Sequence, residues 1–501
     1  MRKKILIGFI CLLAQFAING QSLLVGSMED LNARNLQLLG EYDSTVSFMI
    51  RPLMKKKTCP SKKIYKEILP FTFLQQLNTH HPYGWNDGSL IKAKSYQLQL
   101  AGGAYWSYGP VELQIRPEMV MALNPHYASE SVFGRTPANK GYYQKLFAGQ
   151  SRLSIAAGSL AAGISTENLW WGPGIHSALL MSNNAPGFLH GFLRTRKPLK
   201  TPVANIEFQL MGAKLTDDPD MPFENKMQLQ GSLNKNNWRY YNAYVFTLNP
   251  KWMPGVFVGM SRGMQRRWQE VKSGSASMSF LKRYVPVFAN SFQKQTNIGD
   301  DTLNVDQLAS FFLRWVLPKV HTEFYIEYGY NDYGQNTRDY LMSPTHSAAY
   351  LLGFKKSAPL ANDQYLHIGL ELTQMSQSPD YIIRDAGNWY EHGQVSQGYT
   401  NQNQIMGAGA AFGSNLQSLS ATLEKRKNRS SMGFLLERLE HDPLSSHVKW
   451  TDIGLGFLPN WQHGSIGLQA KLECIYSNNY GWVQGVDKFN LHAKLLISYL
   501  F

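Results

Sequence analysis

Cationic and aromatic side chains are interleaved in two stretches in the second half of this 501-residue chain. The two groups comprise Arg262, Arg266, Arg267 and Trp268, and then Tyr381, Arg384 and Trp389. An arginine guanidinium pairs with carboxylates, and an aromatic face accepts the C–H surface of a sugar. Both stretches therefore predict binding of an acidic polysaccharide. Aromatic residues at a membrane interface together with ordinary loop charge would give the same composition, and this alternative stays open.

Catalytic residue types occur in one turn-rich stretch of the chain. His176 and Ser182, with Asn183 or Asn184, are the residue types of a Ser-His-Asn site. Such sites depend on geometry in space, and closeness in sequence does not supply it. A hydrolase is therefore only a minor alternative, and we expect that this protein is not an enzyme. The His, Cys and Asp residues have no metal-site spacing, so we predict no metal and no cofactor.

The last thirteen residues indicate the type of secondary structure that positions the candidate binding residues. Every second residue from Phe489 to Phe501 is apolar or aromatic, whereas the intervening positions begin Asn490, His492 and Lys494. This period of two is typical of a β-strand with one face towards lipid and one towards a polar lumen. The final aromatic also resembles the signal that barrel-assembly machinery recognises. Phe501 is therefore the predicted assembly residue of an outer-membrane β-barrel.

The same alternation recurs through residues 91–501, where we predict the transmembrane barrel. It is clearest at 321–328 and 466–476, with polar or acidic residues opposite apolar ones. The length of this region predicts sixteen to twenty antiparallel strands at roughly 20–25 residues per strand and connection. The unpatterned stretches at about 262–305, 331–363 and 376–404 are predicted loops, most of them external.

The N-terminal residues predict export. Basic Arg2-Lys3-Lys4 precedes a mostly apolar run, and residues 1–20 form a predicted signal peptide. Its removal lowers the formal charge from +14 to +11, because it contains three basic and no acidic residues. We expect no nucleic-acid partner for an exported chain. The predicted anionic partners are acidic capsular polysaccharide or exopolysaccharide, and the lipopolysaccharide of the outer membrane.

Residues 21–90 are predicted to form a small, partly helical plug on the periplasmic side. Ser27 is a predicted helix N-cap with acidic residues in the following turn, and Gly40 is a natural stop. A second helical patch is predicted from Ile64 to about Leu77, interrupted at Pro70.

Two turn-rich motifs are more specific than an average strand connection. Their residues are Trp170, Trp171, Gly172, Pro173 and Gly174, followed by Ser182, Asn183 and Asn184. Together with residues 83–88 and 115–118, they resemble the Wzi family of outer-membrane capsule-assembly proteins. The motif residues could contact glycan, but Gly-Pro-Gly and Asn-Asn are turn sequences first, which favours a structural role.

The resemblance implies an all-β membrane fold with eighteen strands and an N-terminal helical plug on the periplasmic side. It also implies a lectin-like role in which exported polysaccharide is attached to the cell surface. A porin or oligosaccharide channel has the same architecture with an open lumen. A plug formed by residues 21–90 would argue against free diffusion.

Overall fold

The computed structural model describes most of the chain after its N-terminal leader. The described residues are 19–56, 64–125, 141–218, 238–273, 285, 287, 305–331, 345, 347–376, 388–392, 395, 397–410, 412–443 and 446–501. Residues 1–18 of the predicted signal peptide lie outside them, so that segment stays a prediction.

The described chain forms a closed antiparallel barrel of eighteen strands, which confirms the predicted fold class. The first nine are β1 Ile64–Asn78, β2 Ser95–Tyr108, β3 Val111–Ile115 with Glu118–Ala122, β4 Tyr143–Phe147 with Arg152–Ala157, β5 Leu160–Ser165, β6 His190–Thr195 with Leu199–Lys200, β7 Ala204–Leu215, β8 Arg239–Pro250 and β9 Val256–Arg267. The others are β10 Asp306–Leu317, β11 Thr322–Asn331, β12 Ala348–Leu360, β13 Gln364–Gln374, β14 Asn415–Lys425, β15 Ser430–His441, β16 Trp450–His463, β17 Ile466–Asn478 and β18 Lys488–Tyr499. β18 pairs with β1, which closes the barrel.

Outward apolar residues alternate with inward residues along the barrel strands, as the sequence predicts. On β10, Phe311, Leu313 and Trp315 are 50%, 38% and 44% exposed, whereas Arg314 between them is 0% exposed. Outward apolar side chains on successive strands form a band suited to lipid, and the inward face is more polar. In the described part of the chain, no helix is long and apolar enough to cross a membrane.

The predicted second helical patch is wrong, because Ile64–Asn78 is a barrel strand. The register with β2 shifts between Leu69 and Thr72, on either side of Pro70. A bulge of this kind tolerates the missing N–H of proline and moves the inward parity by one residue. Inward Tyr65 and Leu69 are therefore followed by inward Thr72 and Leu74. The barrel consequently begins at residue 64 and not at residue 91.

The predicted first helix is confirmed as α1, Met28–Leu38. The Ser27 side chain accepts a hydrogen bond from the backbone N–H of Asp30, and Glu29 and Asp30 lie in the first turn. A second, short helix, α2, spans Trp268–Ser273. Three pairs of short strands lie outside the barrel wall: Asn19–Ser22 with Met54–Lys56, Ile50–Arg51 with Trp170–Trp171, and Thr400–Asn401 with Gln404–Ile405.

The two ends of the barrel differ in the length of their connections. At one end, here called the short-turn end, strands are joined by turns such as 318–321, 426–429 and 464–465. At the other, the long-loop end, the connections include 79–94, 166–189, 375–414 and 479–487. Two predicted loops are partly wrong, because β9 extends to Arg267 and β12 occupies 348–360. Arginines on the outward face of β9 and apolar residues on both faces of β12 hide the alternation.

The lumen is packed with protein. Long connections turn inward, and Trp171, Leu180, Trp389 and Tyr399 form one hydrophobic core with wall residues such as Tyr241. The segments 79–94, 166–189 and the described residues between 388 and 410 are here called the luminal segments.

Candidate functional site

The two tryptophans of the motif hold the N-terminal segment inside the barrel. Trp170 and Trp171 form a two-residue strand with Ile50–Arg51 and are 1% and 0% exposed. The Arg51 guanidinium lies 4.6 Å from the centre of the Trp170 ring. The side chain of Trp171 enters the main core. Both rings are therefore packing groups and are closed to a polymer outside the barrel.

The Gly-Pro-Gly turn is anchored on glutamates of the wall. Gly172 has a φ of 122°, and a Cβ there would lie 2.7 Å from the Glu327 carboxylate. Glu371 accepts hydrogen bonds from the backbone N–H groups of Ile175, His176 and Ser177, at 2.7, 3.0 and 2.7 Å. These contacts satisfy a buried carboxylate and fix the turn against β11 and β13.

The Ser-Asn-Asn residues join the luminal segments to one another. The Ser182 hydroxyl donates to the Gly407 carbonyl at 2.5 Å, and Asn184 donates to the Ile405 carbonyl at 2.9 Å. Asn183 donates to the Asn86 carbonyl at 3.1 Å. Among the described residues, no hydrogen bond joins Ser182 to His176, and no group of three His, Cys, Asp or Glu side chains could hold a metal ion. The geometry supports a structural role for the motif residues.

Helix α1 is held to the wall by buried charges. Arg34 Nε lies 2.8 Å from Glu323 Oε1 on β11, and Arg314 Nε lies 2.7 Å from the other oxygen of that carboxylate. Arg314 also donates to Gln37 of the helix at 2.7 Å. At the helix C-terminus, His321 contacts the Leu38 carbonyl at 3.1 Å. The helix therefore lies in the lumen at the short-turn end.

Two predicted binding arginines are not loop residues. Arg262 and Arg266 lie on β9 directly opposite Tyr244 and Tyr240 of β8. Tyr241, Ala243 and Val245 of β8 enter the luminal core, so the alternate residues, and the arginines opposite them, are on the outward side. Both arginines are buried, and Arg262 donates to the Val287 carbonyl and to Gln307. The prediction that they lie on external loops is wrong.

The remaining predicted binding residues are dispersed. Arg267 ends β9 on the luminal side, opposite Arg239, and Trp268 begins α2. Trp389 is fully buried, and its indole N–H donates to the Ser347 carbonyl at 3.0 Å. Trp389 is thus a core residue, and the prediction that it lies in an open loop and binds polysaccharide is wrong. Tyr381 and Arg384 lie outside the described residues.

A cluster that the sequence did not predict lies at the long-loop end of the lumen. Trp450 stacks on His441 at 3.7 Å between ring centres and contacts Tyr480 and Trp482, both at 5.1 Å. Tyr480 in turn contacts His81 at 4.8 Å and His80 at 5.6 Å. We call these six rings, with Lys94 and Lys488 beside them, the mouth cluster. Trp482, His441 and His80 are partly exposed, whereas Trp450 and Tyr480 form the buried base.

Two lysines place positive charge beside the mouth cluster. Burial, together with the charges of Lys488 and Lys94, lowers the pKa of His80. Burial also lowers the pKa of His81 to about 4. Both imidazoles are therefore neutral near pH 7, and Lys94 and Lys488 supply the cationic groups. Ring faces beside two ammonium groups suit a sugar that carries a carboxylate.

The comparisons with known proteins agree with this architecture. The family model of capsule assembly protein Wzi matches residues 108–443. Among solved structures, the chain is similar to Wzi of Escherichia coli, described as an outer-membrane protein involved in group 1 capsule assembly and as a carbohydrate-binding β-barrel. That similarity has a TM-score of 0.64 at 13% identity and covers 96% of this chain and 100% of the other.

Two further solved structures give lower TM-scores. Pseudomonas aeruginosa OpdQ gives a TM-score of 0.44 at 9% identity, covering 87% of this chain and 97% of that one. Acinetobacter baumannii OccAB3 gives a TM-score of 0.44 at 10% identity, covering 87% of this chain and 99% of that one. The search of curated proteins gives no match. Because the family match covers more than half of its residues, the chain belongs to the capsule assembly protein Wzi family and is an outer-membrane β-barrel.

Proposed function

We propose that this protein binds exported acidic capsular polysaccharide, or an acidic exopolysaccharide, and holds it on the cell surface. Membership of a capsule-assembly family supports the setting. The Escherichia coli relative is described as carbohydrate-binding, which supports the ligand class. The observation that carries the proposal is the mouth cluster, where partly exposed rings and two lysines lie over a packed lumen.

Outer-membrane barrels have short periplasmic turns and longer extracellular loops. With this orientation, the mouth cluster faces outside the cell and α1 lies on the periplasmic side, as the sequence predicted for the plug. The polymer then binds at the outer surface of a closed barrel. The packing of α1 and the luminal segments disfavours a porin, because their apolar core occupies the path that a solute would take.

A charged polymer suits this surface because weak contacts repeat along it. Lys94 and Lys488 can each pair with a carboxylate, and the partly exposed Trp482 ring can pack against the sugar. A single exposed ion pair contributes only about 0.2–1 kcal/mol, but neighbouring repeats of one chain bind with increased avidity.

The double substitution Lys94→Ala/Lys488→Ala tests this site. We expect binding of the purified protein to acidic capsular polysaccharide to weaken about 2- to 30-fold, because two ion pairs of about 0.2–1 kcal/mol each are lost. Wild-type binding should also weaken as salt rises, since exposed charges are screened. Titration of immobilised polysaccharide with the detergent-solubilised protein measures both effects.

The matched control is Lys319→Ala/Lys427→Ala, which removes two exposed lysines from the short-turn end. It changes the net charge equally and should leave binding unchanged. An equal loss in both double variants, or binding of neutral glycan with the same affinity at all salt concentrations, would contradict the proposal.

A further inference from the structure

We propose that the outer wall of the barrel carries a binding site for the phosphorylated headgroup of lipopolysaccharide. The site is formed at the long-loop ends of β7, β8 and β9 by Lys214, Trp238, Tyr240, Trp268 and Lys272, here called the wall patch. It is separate from the mouth cluster, which lies at the long-loop ends of β15–β18 and β1.

The strand register brings the wall patch together. Lys214 is directly opposite Tyr240, and Tyr240 is opposite Arg266. One step further along, the backbone N–H of Trp268 donates to the Trp238 carbonyl at 3.0 Å, which continues the pairing of β8 with β9. Opposite residues in an antiparallel pair point to the same side of the sheet. Since Leu215, Tyr241 and Gln265 point into the lumen, these residues point outward.

The aromatic groups form a compact face with cations above it. The Trp238 and Trp268 rings are stacked at 4.4 Å between centres with 18° between planes, and Tyr240 lies 6.0 Å from Trp268. Lys214 Nζ is 5.5 Å from the centre of the Trp238 ring, and Lys272 Nζ is 5.8 Å from that of Trp268. Both lysines are exposed. Their ammonium groups are thus held beside the rings and remain open to an anion.

The position on the wall favours a lipid over a free polymer. On the same outward face, towards the short-turn end, Phe246, Met260 and Phe311 form one cross-strand row that belongs to the apolar band. Tryptophan and tyrosine are enriched where such a band meets the headgroups. Cations at that level on the long-loop side face the outer leaflet, whose anionic groups include the phosphates of lipopolysaccharide. The ammonium groups can pair with these phosphates while the rings pack against the sugar.

The test compares Lys214→Ala/Lys272→Ala with the wild-type full-length protein. We expect the lipopolysaccharide that co-purifies with the detergent-solubilised barrel to fall about 3-fold or more, because two charge pairs are lost. When purified lipopolysaccharide is added back to both proteins, the wild type should bind it at a lower lipopolysaccharide concentration than the variant does. Dephosphorylated lipopolysaccharide should bind both proteins equally. Lys214→Arg/Lys272→Arg keeps the charges and should retain binding.

The matched control is Lys200→Ala/Lys251→Ala, which removes two exposed lysines of the same sector at the short-turn end. It should not change co-purified lipopolysaccharide. Heat-modifiable migration confirms that every variant is folded. Equal lipopolysaccharide in the wall-patch variant and the wild type would overturn the proposal. So would a loss of acidic polysaccharide binding with lipopolysaccharide unchanged, because the patch would then belong to the polymer site.

Discussion

Replacing Glu323 with Gln is expected to release helix α1 from the barrel wall. The carboxylate is fully buried and lies between Arg34 of the helix and Arg314 of β10. Glutamine keeps the shape of the side chain but removes its charge, so two buried guanidinium groups lose their counter-ion. Breaking a buried pair in this way costs about 3–5 kcal/mol.

Amide hydrogen exchange of residues 28–38 measures the release. Glu41→Gln is the matched control, because Glu41 also joins the plug to the wall through Arg426, but its side chain is 48% exposed. That exposed pair contributes about 0–1 kcal/mol, so exchange should change little. Unchanged exchange in Glu323→Gln would show that the buried ion pairs do not hold the helix.

Trp171→Ala is the second substitution with a large expected effect. Trp171 is 0% exposed and packs in the core that joins the luminal segments to the wall. Removing a buried indole leaves a cavity and costs about 3–5 kcal/mol. We expect a lower temperature of heat-induced unfolding and faster proteolysis within residues 166–189. The control Trp252→Ala removes a tryptophan that is 68% exposed at the short-turn end.

The Trp171 variant also separates the two interpretations of the motif. If the ring is a packing group, stability falls first, and polysaccharide binding is lost only as far as the luminal segments detach. A variant with wild-type thermal stability and abolished polysaccharide binding would instead make Trp171 a glycan contact.

Much of the fold could be predicted because strand alternation is local. The strand Lys488–Tyr499 follows the period of two, and the Ser27 cap marks the start of α1. Prediction failed at β1 because the bulge around Pro70 shifts the parity within the strand. It failed at β12 because luminal segments pack against that strand, so Leu351 is as apolar as the outward residues beside it.

The candidate site could be predicted only in part. The Gly-Pro-Gly and Ser-Asn-Asn sequences predict turns, and in the structure the motif residues are turn and packing groups. The mouth cluster could not be predicted, because closure of β18 on β1 brings His80 beside Tyr480 from 400 positions away. The sequence predicts Arg262 and Arg266 as loop residues because outward-facing charges break the expected apolar pattern.

The most direct test of surface attachment is the distribution of polysaccharide between cells and medium. Cells that lack this protein should make the same total amount of acidic polysaccharide and release most of it into the medium. The wild-type gene should return it to the cells, and the Lys94→Ala/Lys488→Ala variant, at equal barrel abundance, should return less. Polysaccharide that stays fully cell-bound without the protein, or a fall in its total amount, would contradict attachment as the function.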